Sequence, residues 1–407
     1  MKNKILVSLA LCAAVFSSCN NKPETEIVLS SDEKALKSIV EQYVPNVIYT
    51  IYGSLADETE NLVQKLTALR DGGNAITQAQ VDDACATFLL AREYWEKSEA
   101  FLFGAATAFG IDPHIDSWPL NKAKLATSLS NPNTIKALKE EGADANDLVG
   151  ASSLGFHGIE FILFRDGKKR TAEALKGNET DAAFASVTVS GQDELVFATA
   201  VAEDLYNACA QLQVSWNPDA PAARKQLIED LEFNCTVEGS DLTYGENLLK
   251  AAQAGSTYGT WQEAVAKTIL HGSASIADEV ANTKMGTAHY VSGSNYDKDY
   301  IESPYSHRSF YDFRDNILSI QYSLYGANNA STPKSASVMT FLTSKGYSGA
   351  KSLEDSLTAA LKSLQDCIST GIAFVEKPTA SYVEEAIEKV NDLNDELTAA
   401  EDWITKL

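Results

Sequence analysis

A chain of 407 residues with 56 acidic against 33 basic side chains carries a formal charge of −23, and 44% of its residues are apolar. That length accommodates two domains of ordinary size, and so acidic a body is excluded as a binder of nucleic acid through its phosphates. It suits cations, although a solvated acidic surface accounts for the charge equally well.

At the N-terminus, Lys2 and Lys4 precede an apolar run from Ile5 to Phe16, followed by Ser17, Ser18 and Cys19. A basic start and a short apolar stretch predict a signal peptide over 1–18, too short to span a bilayer. The small residues before Cys19 resemble a bacterial lipobox, which predicts acylation of the Cys19 thiol. Phe16 stands where Leu is usual, so secretion without lipid is the alternative. Loss of residues 1–18 removes two lysines and no acid, taking the charge from −23 to −25. A polar tether is expected over 19–33. Asn20, rather than Asp, favours the outer membrane, on its periplasmic or surface face, with contact to the bilayer through the lipid alone.

The body has helical periodicity almost throughout. Leu36, Ile39, Tyr43, Val47, Ile51 and Leu55 recur at three- and four-residue steps, with Pro45 expected to kink the helix or start a new one. Thr77 and Gln80 form a capping box ahead of Val81, Ala84, Phe88, Ala91, Trp95 and Phe101. Leu353, Leu357, Ala360 and Leu364 make another stripe, and a Ser381–Glu384 box opens Val383, Ile387, Val390, Leu393 and Leu397. The predicted fold is all-α, in two antiparallel helical bundles: an N-terminal bundle over 34–200 and a C-terminal one over 201–407. Tyr49–Gly53 echoes Tyr322–Gly326, which suggests an internal duplication. Loops are expected at 71–74, 110–119, 142–146, 167–180, 216–221, 293–304 and 326–335. Cys85, Cys209, Cys235 and Cys367 show no metal spacing. Cys209 and Cys235 are the nearest pair for a disulfide, with isolated thiols the alternative.

One stretch bears chemistry. Leu154 to Phe164 is nearly all apolar yet holds His157 and Glu160, which on a helix share a face. A buried carboxylate needs a compensating partner. Gly155 and Gly158 leave room for another segment against that face. The pair reads as half of a metal site or as a self-satisfied structural hydrogen bond, and the spacing leaves both open.

Three further segments accompany it: Arg92–Phe101, Ile115–Leu120 and Glu302–Ile317. Together with Gly155-Phe156-His157-Gly158-Ile159-Glu160, which fits a G-x-H-x-x-E signature, they resemble the imelysin family, peptidase M75, from about residue 36 to the C-terminus. The resemblance implies two helical bundles with the motif at their interface and an envelope protein linked to iron uptake; an envelope transporter is a candidate partner. Carried over by position, it makes His157 and Glu160 metal ligands. Glu99 is a candidate third ligand or an exposed helix glutamate. Gly155, Ser306, Ser309, Asp312 and Asn316 are expected around the metal or at the interface. Asp312 would orient His157, and Ser and Asp here also serve as helix caps.

The peptidase reading needs a metal-activated water, a base and an open coordination position. Neither H-E-x-x-H nor H-x-x-E-H is present, since Phe161 follows Glu160. A His/carboxylate set suits iron, with zinc as the other candidate. Haem walled by Phe156, Phe161 and Phe164 is a further reading, against those rings being core. Binding of iron or an iron-bearing ligand is the leading expectation. An M75-type metallopeptidase and an envelope interaction module with a purely structural motif are the alternatives. His114, His271, His289 and His307 are expected to lie outside the site, and Trp118-Pro119 to shape a loop over the cleft.

Overall fold

The computed structural model describes residues 29–140, 142–291 and 298–407. The signal peptide, Cys19 and most of the expected tether fall outside them. The far end of that tether is already helix, because Ser30 and Glu33 exchange the reciprocal bonds of a capping box and start α1 (Ser31–Tyr43). Pro45 does not end the helical winding. The helix widens into a π turn over Val44–Tyr49 and continues as α2 (Thr50–Gly72).

The Thr77–Gln80 box forms as expected and opens α3 (Gln78–Glu96). Short helices and turns follow, among them Asp112–Ile115 inside the expected 110–119 loop. The motif stretch is α4 (Gly155–Leu163), buried at every position. It runs into a small antiparallel hairpin that pairs Phe164 with Lys169 and Arg165 with Lys168 across an Asp166-Gly167 turn. This hairpin is the one departure from helix among the named elements. The long helix α5 (Gly191–Trp216) packs against α2, α4 and the Asp112–Ile115 turn, and α3 packs against α2 and α4.

In the second half, α6 runs over 261–289 and contains two π turns, Val265–Leu270 and Glu279–Met285. It packs with α7 (Ser309–Tyr325), α8 (Val338–Ser344) lies against α7, and α9 (Ala350–Ser369) pairs with α10 (Ser381–Thr405). The Ser381–Glu384 box is not made: α10 begins after Ala380, with no side-chain cap. The predicted stripes do form the core, since every residue named in the four helical stripes above is buried. Helix α7 touches both α3 and α9, so loops and helix ends from both halves meet around α4. The two echo segments are not locally equivalent. Gly53 lies inside α2, whereas Gly326 ends α7 in the left-handed conformation.

Cys85, Cys209, Cys235 and Cys367 are free thiols, so the Cys209–Cys235 pairing is not formed. Among the described residues, no helix is long and apolar enough to cross a membrane.

Candidate metal centre

Glycine sets the local geometry of the motif. Gly155 has φ +65°, and a Cβ there would lie 2.2 Å from the Ile115 carbonyl oxygen. A Cβ on Gly158 would lie 2.3 Å from the Ser153 carbonyl oxygen. The two glycines thus let backbone close against α4, as the sequence suggested, and the segment brought in by Gly155 delivers Asp116.

His157 and Glu160 do share a face. His157 Nδ1 is 3.5 Å from Glu160 Oε2, and His157 Nε2 is 2.9 Å from Asp116 Oδ1. That second contact has ion-pair distance but not hydrogen-bond alignment, so Nε2 has no hydrogen-bond partner among the described residues. Glu160 Oε1 accepts from the Ser306 backbone N–H at 2.8 Å and from its hydroxyl at 2.6 Å. Glu160 is therefore held by the loop ahead of α7.

Arg92 is the hub of the surrounding charge. Its guanidinium donates to Asp116, reaches Glu302 Oε1 and Glu96 Oε1 at 2.5 Å each, and has Asp312 at 3.7 Å. Asp116 also accepts from the Trp95 indole N–H at 2.9 Å. Lys284, in the second π turn of α6, lies 3.2 Å from Glu302, 3.7 Å from Glu99 and 3.9 Å from Glu96. Asn316 donates to Glu96 Oε2 at 2.6 Å, Ser303 donates to Asp312, and Ser309 donates to the Glu302 carbonyl at 2.6 Å. Five carboxylates with buried side chains (Glu96, Glu99, Asp116, Glu302 and Asp312) thus contact two permanent cations, Arg92 and Lys284, while Glu160 faces His157.

The electrostatics follow from that imbalance. Burial drives Glu96 and Glu99 well above the ordinary glutamate range, and drives Asp312 up to about 7. Asp116 goes the other way: burial opposes its charge, but Arg92 and His157 hold it well below the usual carboxylate range. For His157, burial is outweighed by Asp116 and Glu160, which raise it to about 9.

Among the described residues, two groups of ligand atoms converge to within 4.8 Å: Asp116, His157 and Glu302, and Glu96, Glu99 and Asp116. In the first, Glu302 Oε2 joins His157 Nε2 as a buried polar atom without a hydrogen-bond partner. One imidazole and two carboxylates suit iron or zinc. The structure thus surrounds His157 with Asp116 and Glu302, which the sequence reading had not singled out, and it puts Glu99 beside Lys284. Glu160 stays within reach of His157 while tied to Ser306. From α7, Asn316 donates to the Glu96 carboxylate, Ser309 holds the Glu302 backbone, and Asp312 joins the acids around Arg92. Arg92 and Glu96 were also missed, although their i, i+4 spacing beside the aromatic Trp95 was a usable signal.

Three of the other histidines have partners elsewhere. His114 pairs with Asp204 at 3.2 Å, His271 with Glu401 at 3.3 Å, and His289 with the Pro378 carbonyl at 2.9 Å. Phe156 packs on Phe88, Phe161 on Phe184 and Tyr305, and Phe164 on Phe88. None of these three rings lines the surface cavity of about 1040 Å³ bounded by Arg165, Lys168 and Tyr305. Trp118 stacks edge-on against Tyr300 at 4.7 Å.

The family model of imelysin, Peptidase M75, matches residues 48–400. The chain belongs to the imelysin family. Iron-regulated protein A of Synechococcus elongatus is 26% identical to this imelysin chain over 306 residues, covering 75% of the chain and 66% of that protein. The chain therefore spans just under two thirds of that relative's length. Among solved structures, an iron-regulated protein A precursor from Parabacteroides distasonis superposes with a TM-score of 0.72 at 21% identity, covering 91% of this chain and 95% of that one. An imelysin-like protein from Psychrobacter arcticus gives 0.60 at 12% identity, over 91% and 94%. At these identities the two structures establish the helical fold.

Proposed function

We propose that this chain is an envelope protein that captures a transition-metal ion, iron before zinc, between the H-x-x-E helix and the loop ahead of α7. His157, Asp116 and Glu302 hold the ion. Glu160 orients the imidazole from its other nitrogen, as an outer partner does in metal sites. The observation that carries the reading is that His157 Nε2, 2.9 Å from Asp116 but without an aligned hydrogen bond, and Glu302 Oε2, without a hydrogen-bond partner, belong to one acid-rich group. A cation there relieves both, along with part of the excess negative charge. The names of the cyanobacterial relative and of the Parabacteroides structure, each an iron-regulated protein A, support iron as the cargo. Anchoring through Cys19 at the outer membrane, with delivery to an envelope transporter, completes the proposal.

A second reading is favoured by Arg92 and Lys284, which already ion-pair most of the acids. In it the cluster is a structural clasp joining the two halves.

Calorimetry with ferrous, ferric and zinc ions on the purified chain separates them, with elemental analysis as the check. Metal capture predicts stoichiometric binding that is lost in His157→Ala, Asp116→Asn and Glu302→Gln, and a rise in melting temperature on adding metal to wild type. Absence of binding, with the same variants melting earlier, would establish the clasp instead. Peptide hydrolysis abolished by chelator and by Glu160→Gln would return the family's peptidase chemistry to consideration.

A further inference from the structure

The side chains assigned to the ion are sealed from solvent. His157 is 2% exposed and Glu302 1%, and the Asp116 side chain is 6% exposed. An ion reaches them only if a wall moves, and the walls differ in how they are held. Helix α4 is buried at every position, and the segment leading to Asp116 is closed on Gly155 by backbone contact. The 302–308 loop is held in another way. Its inner side carries Glu302, 2.5 Å from Arg92, and Ser306, which donates twice to Glu160. Its outer side carries Pro304, Tyr305 and His307, which line the surface cavity of about 1040 Å³. One short stretch thus has a proposed ligand on one side and the cavity on the other.

Strain brackets that stretch. Ser303 has φ +50° and His307 φ +60°, left-handed values that L side chains rarely adopt. Residues in such conformations persist only while their surroundings hold them. Here the surroundings include the tip of the hairpin that follows α4. The Gly167 N–H donates to the Tyr305 carbonyl at 3.0 Å. The His307 ring lies so close over Gly167 that a Cβ there would stand 2.6 Å from Nδ1 and 2.9 Å from Cγ. Among the described residues, one backbone hydrogen bond closes within the loop itself, from the Arg308 N–H to the Ser303 carbonyl at 3.3 Å.

We propose that the 302–308 loop is the gate through which the ion reaches His157, with the hairpin tip as its latch and the cavity as its vestibule. Opening withdraws Glu302 from the ion and Ser306 from Glu160 in one movement. The proposal rests on an ion held by His157, Asp116 and Glu302. Closed empty and closed loaded states make the same latch contacts, so weakening the latch speeds entry and exit alike and leaves affinity nearly unchanged.

The test is the rate of zinc uptake and release, by stopped flow against a chromogenic zinc chelator, on the purified chain and on His307→Ala and Gly167→Ala. Gly346→Ala is the remote control, with φ +72° and nothing within 4 Å of a Cβ. Amide hydrogen exchange over 302–308 is followed on the same proteins without metal. Both latch variants should speed uptake and release tenfold or more, keep Kd within threefold, and raise exchange over 302–308 while α4 stays protected. The control should change none of these. Unaltered rates in variants whose loop exchanges faster would put the entrance elsewhere and overturn the proposal. So would a tenfold weaker Kd with uptake unchanged, which would make the latch a contact that positions ligands. If Gly167→Ala does not fold, His307→Ala decides. Zinc held at wild-type affinity with wild-type rates in both variants would refute the gate alone, whereas wild type that binds no metal would refute capture and gate together.

Discussion

Replacing Gly155 by alanine should wedge α4 away from the segment that carries Asp116. The cost has two parts. At φ +65° an L-residue pays about 1–2 kcal/mol for the left-handed conformation. The new Cβ would also stand 2.2 Å from the Ile115 carbonyl oxygen, 2.6 Å from its carbon and 2.9 Å from the His114 oxygen. Those are backbone atoms, with no rotamer to swing away, so overpacking of about 1–3 kcal/mol applies. The total, about 2–5 kcal/mol, is a large share of the stability of an ordinary domain. Equilibrium urea unfolding followed by circular dichroism measures it. Gly346→Ala is the control, because its φ is +72° with nothing within 4 Å of a Cβ, so only the conformational part should appear. Equal losses in the two variants would show that the approach of Ile115 is not tight and that Asp116 is placed by other contacts.

Arg92→Met removes the guanidinium shared by Asp116, Glu96 and Glu302. Stranding buried carboxylates in this way should cost about 3–5 kcal/mol, and a loss below about 1 kcal/mol in urea unfolding would show that the acids are compensated without it. A second pair, away from the centre, sets a pH dependence. Glu194 is pushed up to about 8 by burial and by the facing Glu179, while Glu179, despite its own burial, is held down to about 2 by Glu194 and Arg165. Relative to an ordinary value of 4.5, the raised Glu194 contributes stability that is full below 4.5 and lost as pH rises through about 8. The lowered Glu179 contributes stability above 4.5 that is lost as pH falls through about 2. Wild-type stability should therefore decline above about pH 5, with a contribution from Glu194 no steeper than about 1.4 kcal/mol per pH unit. Glu194→Gln should flatten the decline, and parallel urea midpoints across that range would refute the assignment.

The helices were legible because their signals are local. The stripes on α1 to α3, α9 and α10 repeat at helical spacing, and the core is made of those residues. The shared face of His157 and Glu160 followed from the same periodicity. What surrounds them was not legible, because each partner arrives through tertiary contact. Asp116 follows a single helical turn inside what reads as loop, and Glu302 closes a stretch between α6 and α7 whose sequence signals only irregular backbone. The Ser381–Glu384 motif shows the converse: its spacing fits a capping box, but the preceding Ala380 takes the cap position. Lys284 escaped notice because a π turn leaves no periodic trace and moves the side chain off the face that 3.6-residue spacing assigns to it.

That turn makes helix length, and not only residue identity, a determinant of charge at the centre. In uniform α-helix one residue more or fewer turns the side chains beyond it by roughly 100°, a rotation that the widened turn absorbs. A single-residue deletion within 279–285 would restore ordinary winding while carrying the ammonium round to another side of α6. Among sequences that keep every acid of the cluster, a one-residue gap at this place would then separate chains with a buried ammonium against Glu302 from chains without one.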